Sequence, residues 1–212
     1  AMSHMDHGIG KVLQKLKQTQ RAENTVILFV SDNGAQEQWI PTTQYEGKYG
    51  PNYTLGSNLP LRDFKTSNYE GPLRVPAIFS WPKLNAKGSS SNYINVSDWM
   101  PTFLQWAQAT AIPPSVEGES IEKLLTSSRS ARKKPIYTRG HLQESLIVPP
   151  FKLIRTRHLE GQADFELYDI ETDPSETENI ALEHPKRVDE LKVILEEEFS
   201  KDPPQVNVEL KQ

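Results

Sequence analysis

The chain has 212 residues, 36% of them hydrophobic and 25% charged, with a net charge of −4 and no cysteine. This excludes disulfides, thiolate metal sites and a cysteine nucleophile within the chain. No apolar run is long enough to span a bilayer, and no basic stripe interleaved with aromatics marks a nucleic-acid partner.

Ile9, Val12, Leu13 and Leu16 fall on one face of an amphipathic helix. Residues 25–31, Thr-Val-Ile-Leu-Phe-Val-Ser, read as a strand buried on both faces, as in a parallel sheet. Helix then strand is the second half of a β-α-β unit, and its first strand does not precede it in this sequence. Residues 35–60 are polar, rich in Gly, Asn, Pro and Tyr, and predict a long loop at a sheet edge. Residues 73–82 read as a second buried strand with proline at both ends. Ser97 or Asp98 caps a helix running to about Ala109, and Ile121, Leu124 and Leu125 form a short helical turn.

The pattern changes after residues 127–134, which are polar and basic. Residues 135–138, 151–157 and 165–170 read as short strands, the last two alternating as half-buried antiparallel strands do. Val188, Leu191, Ile194, Leu195 and Phe199 mark a closing amphipathic helix. The expected fold class is α/β. A partial sheet with flanking helices fills 1–128, and a small α+β subdomain with an antiparallel sheet and a C-terminal helix fills 129–212.

Asp32-Asn33-Gly34 ends the first apolar strand. Asn-Gly is a common turn dipeptide and Asp makes Asx turns, so a plain turn is one reading. The other places two hard oxygen donors at the carboxyl end of a strand, where open α/β sheets bind ligands and where a divalent cation such as Ca²⁺ finds its ligand type. His4 and His7 share a helical face at i, i+3, as metal ligands can, and otherwise read as part of a frayed start. His141 and His158 lie in the C-terminal part without a supporting constellation. Two sequons, Asn52-Tyr53-Thr54 and Asn95-Val96-Ser97, are present.

Four segments together resemble the sulfatase family, in its arylsulfatase-like branch of the alkaline phosphatase-like superfamily. They are 5–13, 24–34, 61–76 (Leu61-Arg62-Asp63-Phe64-Lys65-Thr66 through Glu70-Gly71-Pro72-Leu73-Arg74-Val75-Pro76) and 97–104. A weaker match covers 165–176. The resemblance implies that Asp32 and Asn33 bind the active-site Ca²⁺ and that Lys65 contacts the substrate sulfate as catalytic and substrate-binding lysine. A compact ammonium suits a sulfate oxyanion, and a fixed cation stabilises charge that grows in the transition state. Glu70, Arg74 and Asp98 also match family positions and read as a turn, a sheet-edge charge and a helix cap.

The departures matter as much. Family enzymes mature a cysteine or serine to formylglycine in a Cys/Ser-x-Pro/Ala-x-Arg motif. Ser128-Arg129-Ser130-Ala131-Arg132 lacks that pattern, and the N-terminal Asp-Asp metal pair is absent. Asp63 and Pro72 replace a small residue and a glycine. The resemblance therefore implies the C-terminal half of a sulfuric ester hydrolase acting on aryl or carbohydrate sulfates, with an incomplete Ca²⁺ site and no activity of its own. A sulfated small molecule or glycan is the expected partner of the intact, extracytoplasmic protein. No signal peptide is visible in residues 1–7. The alternatives are a non-catalytic sulfatase-like binding domain and a phosphoester or phosphonate hydrolase of the same superfamily. The two strands need cover on both faces, so the chain is expected to self-associate through exposed sheet surface.

Overall fold

Hydrophobic periodicity sets most of the elements, and in the computed structural model they fall in the expected order. The structure describes residues 2–39, 46, 48, 51–84, 88–127, 132–140, 142–158 and 161–202. The expected boundary at 128/129 and His141 lie outside them. The elements are α1 (Met2–Gln18), β1 (Ile27–Val30), β2 (Gln38–Trp39), β3 (Asn52–Tyr53), α2 (Glu70–Leu73), β4 (Ala77–Ser80), α3 (Trp99–Trp106), α4 (Glu122–Thr126), β5 (Ile136–Arg139), β6 (Gln143–Val148), β7 (Phe151–Arg157), β8 (Ala163–Asp169) and α5 (Pro185–Phe199). The class is mixed α/β. The chain divides into two compact units that interleave in sequence, Ala1–Val30 with Pro76–Ala131, and Ser31–Val75 with Arg132–Gln212.

In the first unit β1 pairs antiparallel with β4, placing Leu28 opposite Phe79. This corrects the parallel-sheet expectation. Leu28 and Phe79 pack on a core of Trp99, Ile121 and Leu124, while Phe29, Val30 and Ile78 are 38%, 43% and 63% exposed. An apolar run signals burial on both faces, but in this unit only one face is covered. Helix α1 buries no residue. The expected strand at 73–82 shortens to β4, because residues 70–73 form a helical turn.

Asp98 organises the entry to α3. It is buried, and its Oδ2 accepts from the Asn95 amide (2.6 Å) while Asn95 Oδ1 accepts from the Ser97 amide (3.0 Å), a reciprocal capping box. Asp98 Oδ1 accepts from the Glu119 amide at 3.0 Å. One turn on, the Thr102 hydroxyl donates to the Asp98 carbonyl (2.6 Å) and accepts from the Ile121 amide (3.0 Å). Gly118, at φ +81, lets the backbone pass Ser97 where a β-carbon would sit 2.6 Å from the Ser97 carbonyl oxygen.

In the second unit β5-β6-β7-β8 form an antiparallel meander. Leu146, Leu153 and Leu167 face Val188, Leu191 and Leu195 of α5 and make the main core. The alternate positions of β7, Lys152 and Ile154, face the other way and are fully buried. β6 is not predicted from sequence, because Gln143-Glu144-Ser145 hides its alternation and Pro149-Pro150 comes directly after it. β2 and β3 form a two-residue antiparallel pair inside the expected loop. No helix among the described residues is long and apolar enough to cross a membrane.

Candidate functional site

The Asp32-Asn33-Gly34 segment is not the turn of a hairpin, since β1 pairs with the distant β4. Instead the chain turns through Ser31, Asp32 and Asn33. The Ser31 hydroxyl donates to the Asn33 carbonyl (2.9 Å), and Asn33 Nδ2 donates to the Gly34 carbonyl (2.7 Å). This commits the Asn33 nitrogen and leaves its oxygen as the donor atom for a ligand. Asp32 is exposed, and its carboxylate makes no hydrogen bond or ion pair with the described residues.

Three loops are stitched together at this point. The Gly34 amide donates to the Pro72 carbonyl and the Lys65 amide donates to the Ala35 carbonyl, both at 2.9 Å. Asn58 spans the gap: its Oδ1 accepts from the Ala35 amide (2.6 Å), and its Nδ2 donates to the Ala35 (3.2 Å) and Asp63 (2.8 Å) carbonyls. The approach is close enough that only glycine fits at 34, where a β-carbon would collide with the Gly71 carbonyl and lie 2.9 Å from Pro72 Cα. The backbones of Asp32, Asn33 and Lys65 thus belong to one set of loops. Lys65 is exposed, and its ammonium is unpaired among the described residues. Asp63 and Thr66 flank it in the left-handed region, at φ 68 and φ 93, a conformation a β-branched residue adopts only when its surroundings impose it.

What imposes it is a set of long-range contacts that sequence patterns do not announce. Asn68 donates to the Thr138 carbonyl (2.8 Å), and its amide donates to Gln143 Oε1 (3.0 Å). The Arg62 guanidinium lies 3.8 Å from the Tyr69 ring centre, and its Nη1 donates to the Tyr168 hydroxyl (2.8 Å) and the Glu176 carbonyl (3.0 Å). Tyr69 and Tyr168 both donate to Glu166, at 2.6 and 3.0 Å. Burial first, then the Glu166 charge, pushes the Tyr168 phenol up to about 12. Burial and the Glu166 bond also raise Tyr69, so both hydroxyls remain donors.

Glu70, expected from sequence to be a turn residue, is a buried acid. Lys152 Nζ lies 2.9 Å from Glu70 Oε1 and 2.8 Å from Glu176 Oε1, and the Glu70 amide donates to Glu176 Oε2 at 2.6 Å. Burial raises the Glu176 carboxyl above its ordinary value of 4.5, against the pull of Lys152. The signal in the sequence is a lysine inside the apolar strand Phe151-Lys152-Leu153-Ile154, which needs a buried counter-charge. Sequence alone does not say which acid supplies it.

The remaining histidines separate. His4 and His7 sit exposed on α1, whose regular helix from Met2 corrects the expected frayed start. His158 lines a groove of about 310 Å³ with Leu142, Arg155, Arg157 and Gln162. Arg155 and Arg157 are already matched there by Glu144, and His158 Nε2 lies 2.8 Å from Asp164 Oδ2. Among the described residues no group of three or more His, Asp or Glu is arranged to hold a metal. Asp32 and Asn33 carry oxygens of the type a hard cation takes, two against the roughly six to eight that a Ca²⁺ site uses.

A family model described as Sulfatase matches residues 1–109, and one described as N-sulphoglucosamine sulphohydrolase, C-terminal, matches 64–203. A sulfatase of Formosa agariphila is 29% identical over 86% of this chain and 35% of its own length. An N-acetylglucosamine-6-O-sulfatase of Bacteroides thetaiotaomicron is 28% identical over 91% of this chain and 33% of its own. A solved structure in complex with its substrate D-glucosamine-2-N,6-O-disulfate is 25% identical, with TM-score 0.66, over 95% of this chain and 40% of that one. The chain spans about a third of the length of the two curated relatives. By the family match across its first half and the overlapping match across its second, this chain belongs to the sulfatase family.

Proposed function

We propose that the whole protein hydrolyses sulfate esters, those of carbohydrates before those of aryl alcohols, and that this chain contributes one wall of its active site. The observation that carries the reading is the bond from the Lys65 amide to the Ala35 carbonyl, which ties the loop bearing the candidate sulfate-binding ammonium to the loop bearing Asp32 and Asn33. Asp32 Oδ and Asn33 Oδ1 would hold Ca²⁺, which when bound supplies a fixed positive charge beside the sulfate oxygens. Lys65 meets the same oxygens from the other loop as a flexible point charge. The amino-sugar sulfates named for the relative and for the solved complex support a carbohydrate substrate, and an extracytoplasmic site of action goes with the family resemblance.

The chain carries no cysteine and no serine in the maturation motif, so it holds no formylglycine nucleophile and should be inactive alone. The test is hydrolysis by the whole protein of a 6-O-sulfated amino sugar, an aryl sulfate and a phosphate monoester, with Lys65→Ala and Asp32→Ala beside it. Sulfate-ester turnover that falls about a hundredfold or more in both variants is expected. Turnover unaffected by either variant, or a preference for the phosphate ester, defeats the reading. Turnover of an aryl sulfate by the 212-residue chain alone defeats its second part.

A further inference from the structure

We propose that Lys152 is a positioning residue for the candidate site: with its ammonium between Glu70 and Glu176 it locks the segment that carries Lys65 onto the face of the four-stranded sheet opposite α5. The functional consequence rests on the proposed role of Lys65, but the lock itself does not.

The segment from Arg62 to Arg74 has little of its own to hold it. It contains one four-residue helix, α2, with no side-chain cap. Its apolar side chains are few, and Lys65 and Thr66 are exposed. Yet Asn68, Tyr69, Glu70, Gly71 and Pro72 are buried, and the segment holds two non-glycine residues at positive φ. Something outside the segment must fix it. Arg62 anchors its start on Tyr168 and the Glu176 carbonyl and Asn68 anchors its middle on the Thr138 carbonyl, whereas the buried charged contact at Glu70 holds the turn that leads to Pro72.

Two carboxylates and one ammonium meet there, away from water. The Lys152 side chain is 0% exposed, Glu176 0% and Glu70 5%. Buried carboxylates without a cation are strongly disfavoured, so the position of Glu70 is stable only while Lys152 stands between it and Glu176. Glu70 sits in the middle of a chain of backbone bonds. Its neighbour Gly71 donates to the Arg62 carbonyl, and Pro72 accepts from Gly34. Displacing Glu70 therefore disturbs the bonds that hold the Asp32–Asn33 turn as well as the Lys65 loop. A buried charge set of this kind adds little net stability, and what it specifies is a single seating of the segment.

The test is hydrogen exchange of the 212-residue chain, followed by mass spectrometry on peptides covering 31–38, 61–74 and 143–157. Lys152→Met keeps the volume and leaves two carboxylates facing each other. Exchange in 31–38 and 61–74 is expected to quicken about a hundredfold, while 143–157, held by α5 on the other face, changes less than about fivefold. Glu176→Gln alone should alter exchange by less than about threefold, because it replaces one buried acceptor by another. Added to Lys152→Met, it should slow exchange about tenfold, since it removes one stranded carboxylate.

That reversal separates charge balance from mere packing, under which Glu176→Gln would act alike in both backgrounds. Equal effects in the two backgrounds, unchanged exchange in 31–38 and 61–74, or uniform loosening of all three regions overturns the proposal. If Lys152→Met does not fold, the double variant decides: a folded double variant with 61–74 protected supports the lock, and an unfolded one overturns it. Inorganic sulfate added to the wild-type chain tests the role of Lys65 separately. If sulfate leaves 61–74 unaffected, that role fails while the exchange comparison still judges Lys152.

Discussion

The Lys65 amide donates to the Ala35 carbonyl at 2.9 Å, so two segments well separated in sequence share a hydrogen bond just beyond the Asp32–Asn33 turn. Around that bond the loops are packed backbone on backbone, and this makes glycine decisive. Gly34→Ala would drive a β-carbon into the Gly71 carbonyl and within 2.9 Å of Pro72 Cα. The expected result is a loss of about 1–3 kcal/mol, the range for overpacking, with faster exchange at Lys65. Urea denaturation of Gly34→Ala beside wild type checks it, and equal midpoints would show that the loops part easily.

Lys65 itself should be dispensable for folding. Its side chain is exposed and unpaired among the described residues, so Lys65→Ala is expected to change stability by less than about 0.5 kcal/mol. It should still weaken inorganic sulfate binding. Ca²⁺ affinity of the chain should be about millimolar or weaker, with two side-chain ligands, and insensitive to Lys65→Ala. Calorimetric titration of both ions into both proteins separates these outcomes.

Asp98 should be a costly truncation in the first unit although it is not part of the apolar core. Its two oxygens satisfy the Asn95 and Glu119 amides from a fully buried position, and Asp98→Ala leaves both donors unmet. About 3 kcal/mol is expected from two hydrogen bonds to a charged acceptor. Asp98→Asn should recover part of it. Three of the four tryptophans, Trp81, Trp99 and Trp106, lie in one aromatic cluster of this unit, so tryptophan fluorescence during urea unfolding reads the effect directly.

Glu176 gives a pH dependence with a definite sign. Burial raises its folded-state pKa above 4.5, so its protonated form is favoured by folding. The stability it contributes is complete below the ordinary value and is lost as pH climbs through the folded value. Glu176→Gln mimics the protonated form at every pH. The variant should therefore gain on wild type steadily as pH rises from 4.5, in denaturation midpoints measured at half-unit steps. A difference that shrinks with rising pH would contradict the burial-dominated shift.

The uncovered strands predict association. Ile78 is 63% exposed beside Phe29 and Val30 on the β1–β4 pair, and an open apolar pair of this kind seeks a partner. The 212-residue chain should scatter as a dimer or larger at tens of micromolar or so, and Ile78→Lys should shift it toward monomer. A monodisperse monomer would mean that these side chains are tolerated in water.

Much of this was legible in the residues. The heptad-like spacing of Val188, Leu191 and Leu195 in α5 and the alternation of β7 and β8 announced the C-terminal sheet and its helix, because periodicity reports which face is covered. Asp98 was legible as part of the helix start but not as the partner it is: Asn95 is the cap, and Asp98, expected with Ser97 as the cap itself, is the third residue of the box and makes no side-chain cap bond to α3. The pairing of β1 with β4 was not legible, because an apolar strand does not encode the direction of its neighbour. Nor was the Glu70–Lys152–Glu176 cluster. The buried Glu70 reveals itself only through partners 82 and 106 residues away, and no local pattern carries that information.

The interleaving of the two units has a consequence for synthesis. Ribosomes deliver Asp32, Asn33 and Lys65 long before the strand that seats Glu70 leaves the exit tunnel. Until Lys152 and then Glu176 emerge, Glu70 lacks both the ammonium beside its carboxylate and the acceptor of its backbone amide. A nonsense codon just ahead of Lys152 would spare every ligand-bearing residue proposed here and still deprive them of the scaffold that gives them a shape.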